Sequence, residues 1–372
     1  MSLCAILAVT VLMQAPDSSE LFDTYVKSTQ VFDHAEWRLR FGEKYSGPKP
    51  LNGTIIREGL YTIRRDRDRW KINFEGINRL LEKGRPRTEP EVYEICMPEK
   101  ERYLQVGVDG KSKQPDSLIA YLHGLPADRP IGATIDNFMA LLGYLPGNGQ
   151  YPLEAILRES SLSVHEGRLD GRPAWRLAAA TKYGKVNIWF DADEQRLVRQ
   201  IDLEKSGDDL SNKIAMKDMP EQPGSSFYPN GRLMRSAEKL RFEKYEQKDG
   251  RAVPREALLE TTRVFTGDQK VTIQYQMVVE EFKAVDSFEK GAFDISTAIP
   301  EGFNAQVQDE PNIEYQWRSG KVVKAVSDRT LSNLLAGWFD SAFSPIGYFV
   351  VFAVILTAVS ALSVWSYRRR VA

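Results

Sequence analysis

VTIQYQM, residues 271–277, sets Val271, Ile273, Tyr275 and Met277 on one side of an extended chain and Thr272, Gln274 and Gln276 on the other. Successive side chains of a strand point to opposite faces, so this stretch has one apolar face and one wet face. That is the pattern of an antiparallel sheet covered on a single side. Glu256 to Phe265 precedes it across the turn residues Thr266, Gly267 and Asp268, and the two runs predict a hairpin. Downstream, Ile313–Trp317 and Val322–Ala325 predict a smaller hairpin about Ser319 and Gly320.

The same period returns upstream. Trp37, Leu39 and Phe41 alternate with Glu36, Arg38 and Arg40, and Leu60–Ile63 leads through the charged turn Arg65–Asp68 into Trp70, Ile72 and Phe74. Glu91–Met97 and Arg102–Val108 form another pair around Pro98, Glu99 and Lys100. Leu162–Leu169, Ala174–Ala179, Val186–Phe190 and Leu197–Leu203 read as a meander with turns at Asp170–Gly171, Gly184 and Asp191–Asp193. Helical spacing appears in Asp17–His34, where Leu21, Phe22, Tyr25, Val26 and Phe32 share a face, and in Ile135–Leu142 and Leu153–Arg158, divided by the loop LPGNGQYP. Residues 206–231, rich in polar side chains, Pro and Gly, predict a long loop. The expected fold is mainly β (α+β): a curved antiparallel sheet or unclosed β-barrel with a few helices, occupying residues 17–325.

Both ends read differently from this body. Residues 346–367, IGYFVVFAVILTAVSALSVWSY, contain no charge and have the roughly twenty residues needed to cross about 30 Å of hydrocarbon. Tyr348 and Trp365 lie near its two ends, where amphipathic rings favour the headgroup region, and Arg368, Arg369 and Arg370 follow as a cytoplasmic anchor. One C-terminal transmembrane helix is therefore expected, with the preceding residues outside the cytoplasm and residues 368–372 as a cytoplasmic tail. Leu331, Leu334, Leu335, Trp338 and Phe339 sit at helical spacing within 330–343, as in a juxtamembrane amphipathic helix lying at the interface or packed on the outer domain. Residues 1–15 carry a short apolar run and are expected to be a signal peptide cleaved after Ala15.

Composition excludes several chemistries. With 50 Lys plus Arg against 51 Asp plus Glu, mixed along the chain, there is no footprint for nucleic acid. The three histidines, His34, His123 and His165, are isolated and the two cysteines, Cys4 and Cys96, are far apart, so no metal ligand spacing, structural disulfide or cofactor is expected. Gly110-Lys111-Ser112 lacks the first glycine of a phosphate-binding loop, since Gln105 stands there, and reads as a turn. Cys96, between Ile95 and Met97, reads as a small hydrophobe. Glu280 and Glu281, as strand neighbours, are expected on opposite faces and so unable to share a substrate. Asn52-Gly53-Thr54 is a glycosylation sequon. No catalytic residue is expected.

What remains is apolar. Trp37, Trp70, Phe74, Trp175, Phe190, Tyr275 and Met277 fall on the inner faces of the expected strands. They are core residues, or the lining of a partly open face filled by an acyl chain or a lipidated peptide.

WRLRF in the first strand, DGRPAWRL followed by VNIWFDADEQRLVRQIDLE, and FDISTAIPEGFNAQ near the end give a chain that resembles the LolA/LolB-like family of unclosed β-barrels. The resemblance spans about residues 17–325 and is carried by structural motifs, so it transfers no ligand residue. It implies an envelope protein that handles or senses lipids or lipoproteins, although the carriers of that family shuttle freely while this chain is expected to be tethered. The leading expectation is a non-enzymatic, membrane-anchored extracytoplasmic protein that binds a lipid or lipoprotein acyl group. The alternatives are a non-catalytic interaction or signalling subunit docking another membrane protein through the juxtamembrane helix, and an envelope hydrolase.

Overall fold

In the computed structural model the residues described are 15–47, 55–82, 85–99, 102–122, 138–146, 148–193, 195–207 and 232–325. The expected signal peptide up to Gln14, the sequon at Asn52, residues 208–231 of the long loop, the juxtamembrane helix, the transmembrane segment and the tail lie outside them. Among the described residues no helix is long and apolar enough to cross a membrane.

The chain divides into two units, Met1–Ile299 and Pro300–Ala372. In the first, β1 (Ala35–Ser46), β2 (Ile55–Asp66), β3 (Arg69–Glu82), β4 (Arg85–Glu99), β5 (Arg102–Val108) and β6 (Pro115–Tyr121) form one meander. A second is built from β9 (Leu162–Leu169), β10 (Arg172–Thr181), β11 (Gly184–Asp191), β12 (Val198–Ser206), β13 (Leu233–Lys248), β14 (Arg251–Phe265) and β15 (Lys270–Ala284). Every pairing is antiparallel, and the order β6-β5-β4-β3-β2-β1-β15-β14-β13-β12-β11-β10-β9 joins the meanders through β1 and β15. The sheet is open: its order does not return on itself.

Each expected strand and the hairpin order of both meanders are present. The expectation passes over β6 and β13 in this unit and the strand Asn304–Val307 in the second, and it takes Ser206 for loop where it ends β12. Within the expected loop LPGNGQYP, β7 (Tyr144–Leu145) pairs with β8 (Asn148–Pro152). A bulge in the β1–β15 ladder corrects a further expectation. Arg38 pairs with Glu281 and Leu39 with Val279, so Glu280 is the extra residue. Alternation breaks there, and both carboxylates meet the same outer row of arginines, Glu281 at Arg38 (2.9 Å) and Glu280 at Arg40.

Helix α1 (Ser18–Thr29) begins at Asp17, whose Oδ1 accepts from the Glu20 amide at 2.8 Å. It buries Leu21, Phe22 and Tyr25 on one side and is followed by a 3-10 turn, Gln30–Phe32. Together with residues 138–142 and helix α2 (Leu153–Arg158) it covers part of the inner face. Tyr25 Oη donates to the Gly143 carbonyl, and Phe32 packs on Trp37 at 5.0 Å between ring centres.

On the outer face of β3 and β4, Lys71 and Glu94 meet at 3.0 Å. Glu94 accepts hydrogen bonds from the amides and hydroxyls of both Ser296 and Thr297, while Lys71 Nζ donates to the Asp294 carbonyl. This clamp pins the segment after β15 back onto the sheet. Burial opposes the charge on Glu94, but these hydrogen bonds outweigh it and hold the carboxyl at about 2.

In the second unit β16 (Asn304–Val307), β17 (Tyr315–Arg318) and β18 (Lys321–Lys324) pair in sequence. The β17–β18 turn is made by Ser319 and Gly320, both at positive φ, as expected for a two-residue hairpin.

Candidate functional site

The inner face of the first unit gathers all seven residues expected there. Trp37, Trp70, Phe74, Phe190, Tyr275 and Met277 are buried in one hydrophobic core and Trp175 packs against its edge. They fall into two groups. Trp175 and Phe190 oppose each other across β10 and β11, whereas the other five lie on β15, β1 and β3.

Tyr275 and Phe74 of this second group join Phe41, Tyr61 and Tyr93 in a row of rings across five strands. Tyr275 on β15 stands 5.9 Å from Phe41 on β1, Phe41 is 5.8 Å from Tyr61 on β2, Tyr61 is 4.6 Å from Phe74 on β3, and Phe74 is 5.0 Å from Tyr93 on β4. Paired glycines make room for it. Gly59 and Gly76 face each other across β2 and β3, and a methyl group on Gly76 would stand 2.6 Å from the Phe74 ring and 2.3 Å from the Glu58 carbonyl.

Beside the row, towards the end of the sheet where β1 stops and β2 starts, the apolar face becomes charged. Glu43 continues the inward phase of Trp37, Leu39 and Phe41, and its register partners are Tyr275 on β15 and Arg57 on β2. Arg57, only 8 % exposed, bonds Glu91 Oε1 at 2.8 Å and Tyr93 Oη at 3.3 Å, with its guanidinium 4.8 Å above the Phe74 ring. Tyr93 Oη in turn donates to Tyr61 Oη at 3.2 Å. Arg57 Nε and Glu91 Oε2 are buried without a hydrogen-bond partner. Among the described residues Glu43 likewise has no hydrogen bond or ion pair.

No family model and no curated protein matches this sequence. Among solved structures, one titled "Lipid-protein interactions in lipovitellin" aligns with a TM-score of 0.29 and 9 % identity. The alignment covers 70 % of this chain and 26 % of that one, so this chain spans about a quarter of the length of the protein it is compared with.

The electrostatics follow from the packing. Burial pushes the Glu43 carboxyl up to about 7; Arg57 opposes this and Glu91 adds to it. Part of the Glu43 surface is still open, and its register partners are Tyr275 and Arg57. Burial likewise raises Glu91, against the pull of Arg57, and takes the Tyr93 hydroxyl to about 12. A second inward-facing polar group lies on β12 and β13, where Lys205 and Glu238 are 3.7 Å apart, Ser236 donates to Glu238 Oε1, and Glu238 Oε2 has no partner.

Between α1, residues 140–141 and β12–β14 the free space is about 10 Å³, room for a single water at most. Cys96 is buried on the outer face, and burial raises its thiol far above the usual range, which leaves it unreactive. Gly110–Ser112 is a turn in which Asp109 Oδ1 accepts from the amides of Lys111 and Ser112. Among the described residues no group of three or more His, Cys, Asp or Glu is placed to hold a metal.

The sequence reading misses Glu43, Arg57, Glu91, Phe41, Tyr61 and Tyr93 as a site. One signal for it is present: in WRLRFGEKY a carboxylate occupies the apolar phase of the alternation.

Proposed function

We propose that this chain binds an amphiphile, a lipid or the acyl part of a lipoprotein, on the inner face of the Met1–Ile299 sheet, and acts by holding that ligand rather than by transforming it. One observation carries the reading: the aromatic row from Tyr275 to Tyr93 runs beside a charged group whose polar atoms are only partly matched. The rings are themselves buried, with Phe138 standing 5.0 Å from Tyr61, so a tail reaches them by displacing that cover, and buried polar atoms without partners, each costing about 1–3 kcal/mol, are stabilised by a polar ligand group. An apolar surface with a polar end suits a molecule with a tail and a head.

In this reading the chain is a tethered member of the LolA/LolB-like group. Residues 346–367 anchor it, its sheet stands in the extracytoplasmic envelope, and it receives or senses lipid, with residues 330–343 available to a membrane-protein partner. Native mass spectrometry of the purified full chain is expected to show bound lipid, and a fluorescent fatty acid is expected to be taken up with saturation. A chain free of lipid that also takes up no fatty acid overturns the reading.

A further inference from the structure

We infer that Glu43, beside Arg57 and Glu91, is the counter-ion of a subsite for the ammonium group of an amine-bearing amphiphile. This rests on the amphiphile reading above and names the head of the ligand.

The sign of the charge comes from the arrangement of the group. It holds two carboxylates and one guanidinium, and the guanidinium is already committed to Glu91 at 2.8 Å. Glu43 is the carboxylate left over, with no hydrogen bond or ion pair among the described residues. An anionic head would have to displace Glu91 from Arg57 and stand beside two acids, which like-charge repulsion in a low-dielectric site disfavours. A neutral head would leave the surplus charge in place. An ammonium neutralises it, with the Glu43 carboxylate as its acceptor.

The surrounding rings fit the same group. Tyr275 is the register partner of Glu43, and Phe41 precedes it by two residues on the same face. Ring faces attract cations, most strongly where water is excluded. Arg57 is itself a cation held over Phe74 and Tyr93 in this manner. It is nine-tenths buried, and its Nε has no partner, so the group is not a closed structural bridge. The Lys71–Glu94 clamp on the opposite face, in which the carboxylate is bonded on both oxygens, shows what a closed one looks like.

Three amphiphiles with one tail and different heads test this: decylammonium, decanol and decanoate, titrated below their micelle concentrations into the full chain in nanodiscs, with empty nanodiscs as blank. Decylammonium is expected to bind about tenfold more tightly than decanol at about pH 8, with decanoate weakest. Glu43→Gln is expected to bring decylammonium within about twofold of decanol while leaving decanol unchanged. Should that variant fold poorly, wild-type chain titrated at about pH 5 serves in its place: protonation of Glu43, facing Arg57, Glu91, Tyr61, Tyr93, Tyr45 and Tyr275, removes most of the preference. Equal affinity for the three heads, or tightest binding of decanoate, overturns the ammonium subsite and leaves the amphiphile reading standing. No binding of any of them overturns both. Ethylammonium binding as tightly as decylammonium supports the ammonium subsite and overturns its assignment to an amphiphile.

Discussion

Glu94, buried, and Glu43, partly buried, are acids on opposite faces of the same meander, and the meander treats them oppositely. On the outer face Glu94 meets Lys71 and four donors from Ser296 and Thr297, and its carboxyl stays ionised down to about 2. On the inner face Glu43 stands between Tyr275 and a guanidinium already engaged elsewhere, and it holds its proton up to about 7. Burial opposes ionisation in both; the difference is how many hydrogen bonds answer it. A carboxylate bonded on both oxygens is a fastener. One left without partners costs stability once it ionises.

The largest expected effect comes from breaking the fastener. Glu94→Gln leaves the Lys71 ammonium buried without its counter-charge and should cost about 3–5 kcal/mol in urea unfolding of the full chain. The amides of residues 285–299 should then exchange faster than the rest of the sheet. In the wild type the clamp's contribution is present above about pH 4.5 and is lost as pH falls towards 2, because the folded carboxyl titrates below the unfolded one.

The opposite sign is expected at Glu43. Its folded carboxyl binds a proton more tightly than the unfolded one, so stability falls as pH rises from about 4.5 to about 7 and then levels off. Glu43→Gln should therefore stabilise the ligand-free chain by roughly 2–3 kcal/mol at about pH 8 and change little at about pH 4. Equal effects at both pH values would show that the side chain acts through packing rather than charge.

A smaller effect sharpens the comparison from the side of the rings. Gly76→Ala puts a methyl group against the Glu58 carbonyl and the Phe74 ring, which should cost about 1–3 kcal/mol. The near-ultraviolet circular dichroism of the aromatic row should change with it, while the Lys71–Glu94 clamp, on the other face, keeps its acid titration.

Much of the framework is legible in the chain. Period-two runs such as Val271–Met277 and Leu162–Leu169 name their own faces, and Asp17 marks a helix start that the structure keeps. β13 escapes because its phase is crowded with charge, LMRSAEKLRFEKYEQK, and some of that charge, Glu238 above all, points inward. β6 opens with Pro115 and Asp116, residues that read as turn. The bulge at Glu280 is a property of the β1–β15 pairing and leaves no mark in either strand alone. The candidate site hides for a related reason: Glu43, Arg57 and Glu91 sit in three different strands, each one charged residue among many, and only the register brings them onto one face.

The position of β1 also bears on how the chain is made. Ala35 pairs with Ala284, so the strand at the centre of the sheet leaves the ribosome long before the partner that completes it. The first meander can form early, because each of its strands pairs with the next, but one side of β1 stays an uncovered edge until β15 arrives. Exposed edges invite pairing with other chains, and contacts between distant parts of a chain form slowly. Joining β1 to β15 is thus expected to come late, and until then the open side of β1 is an edge available to other chains.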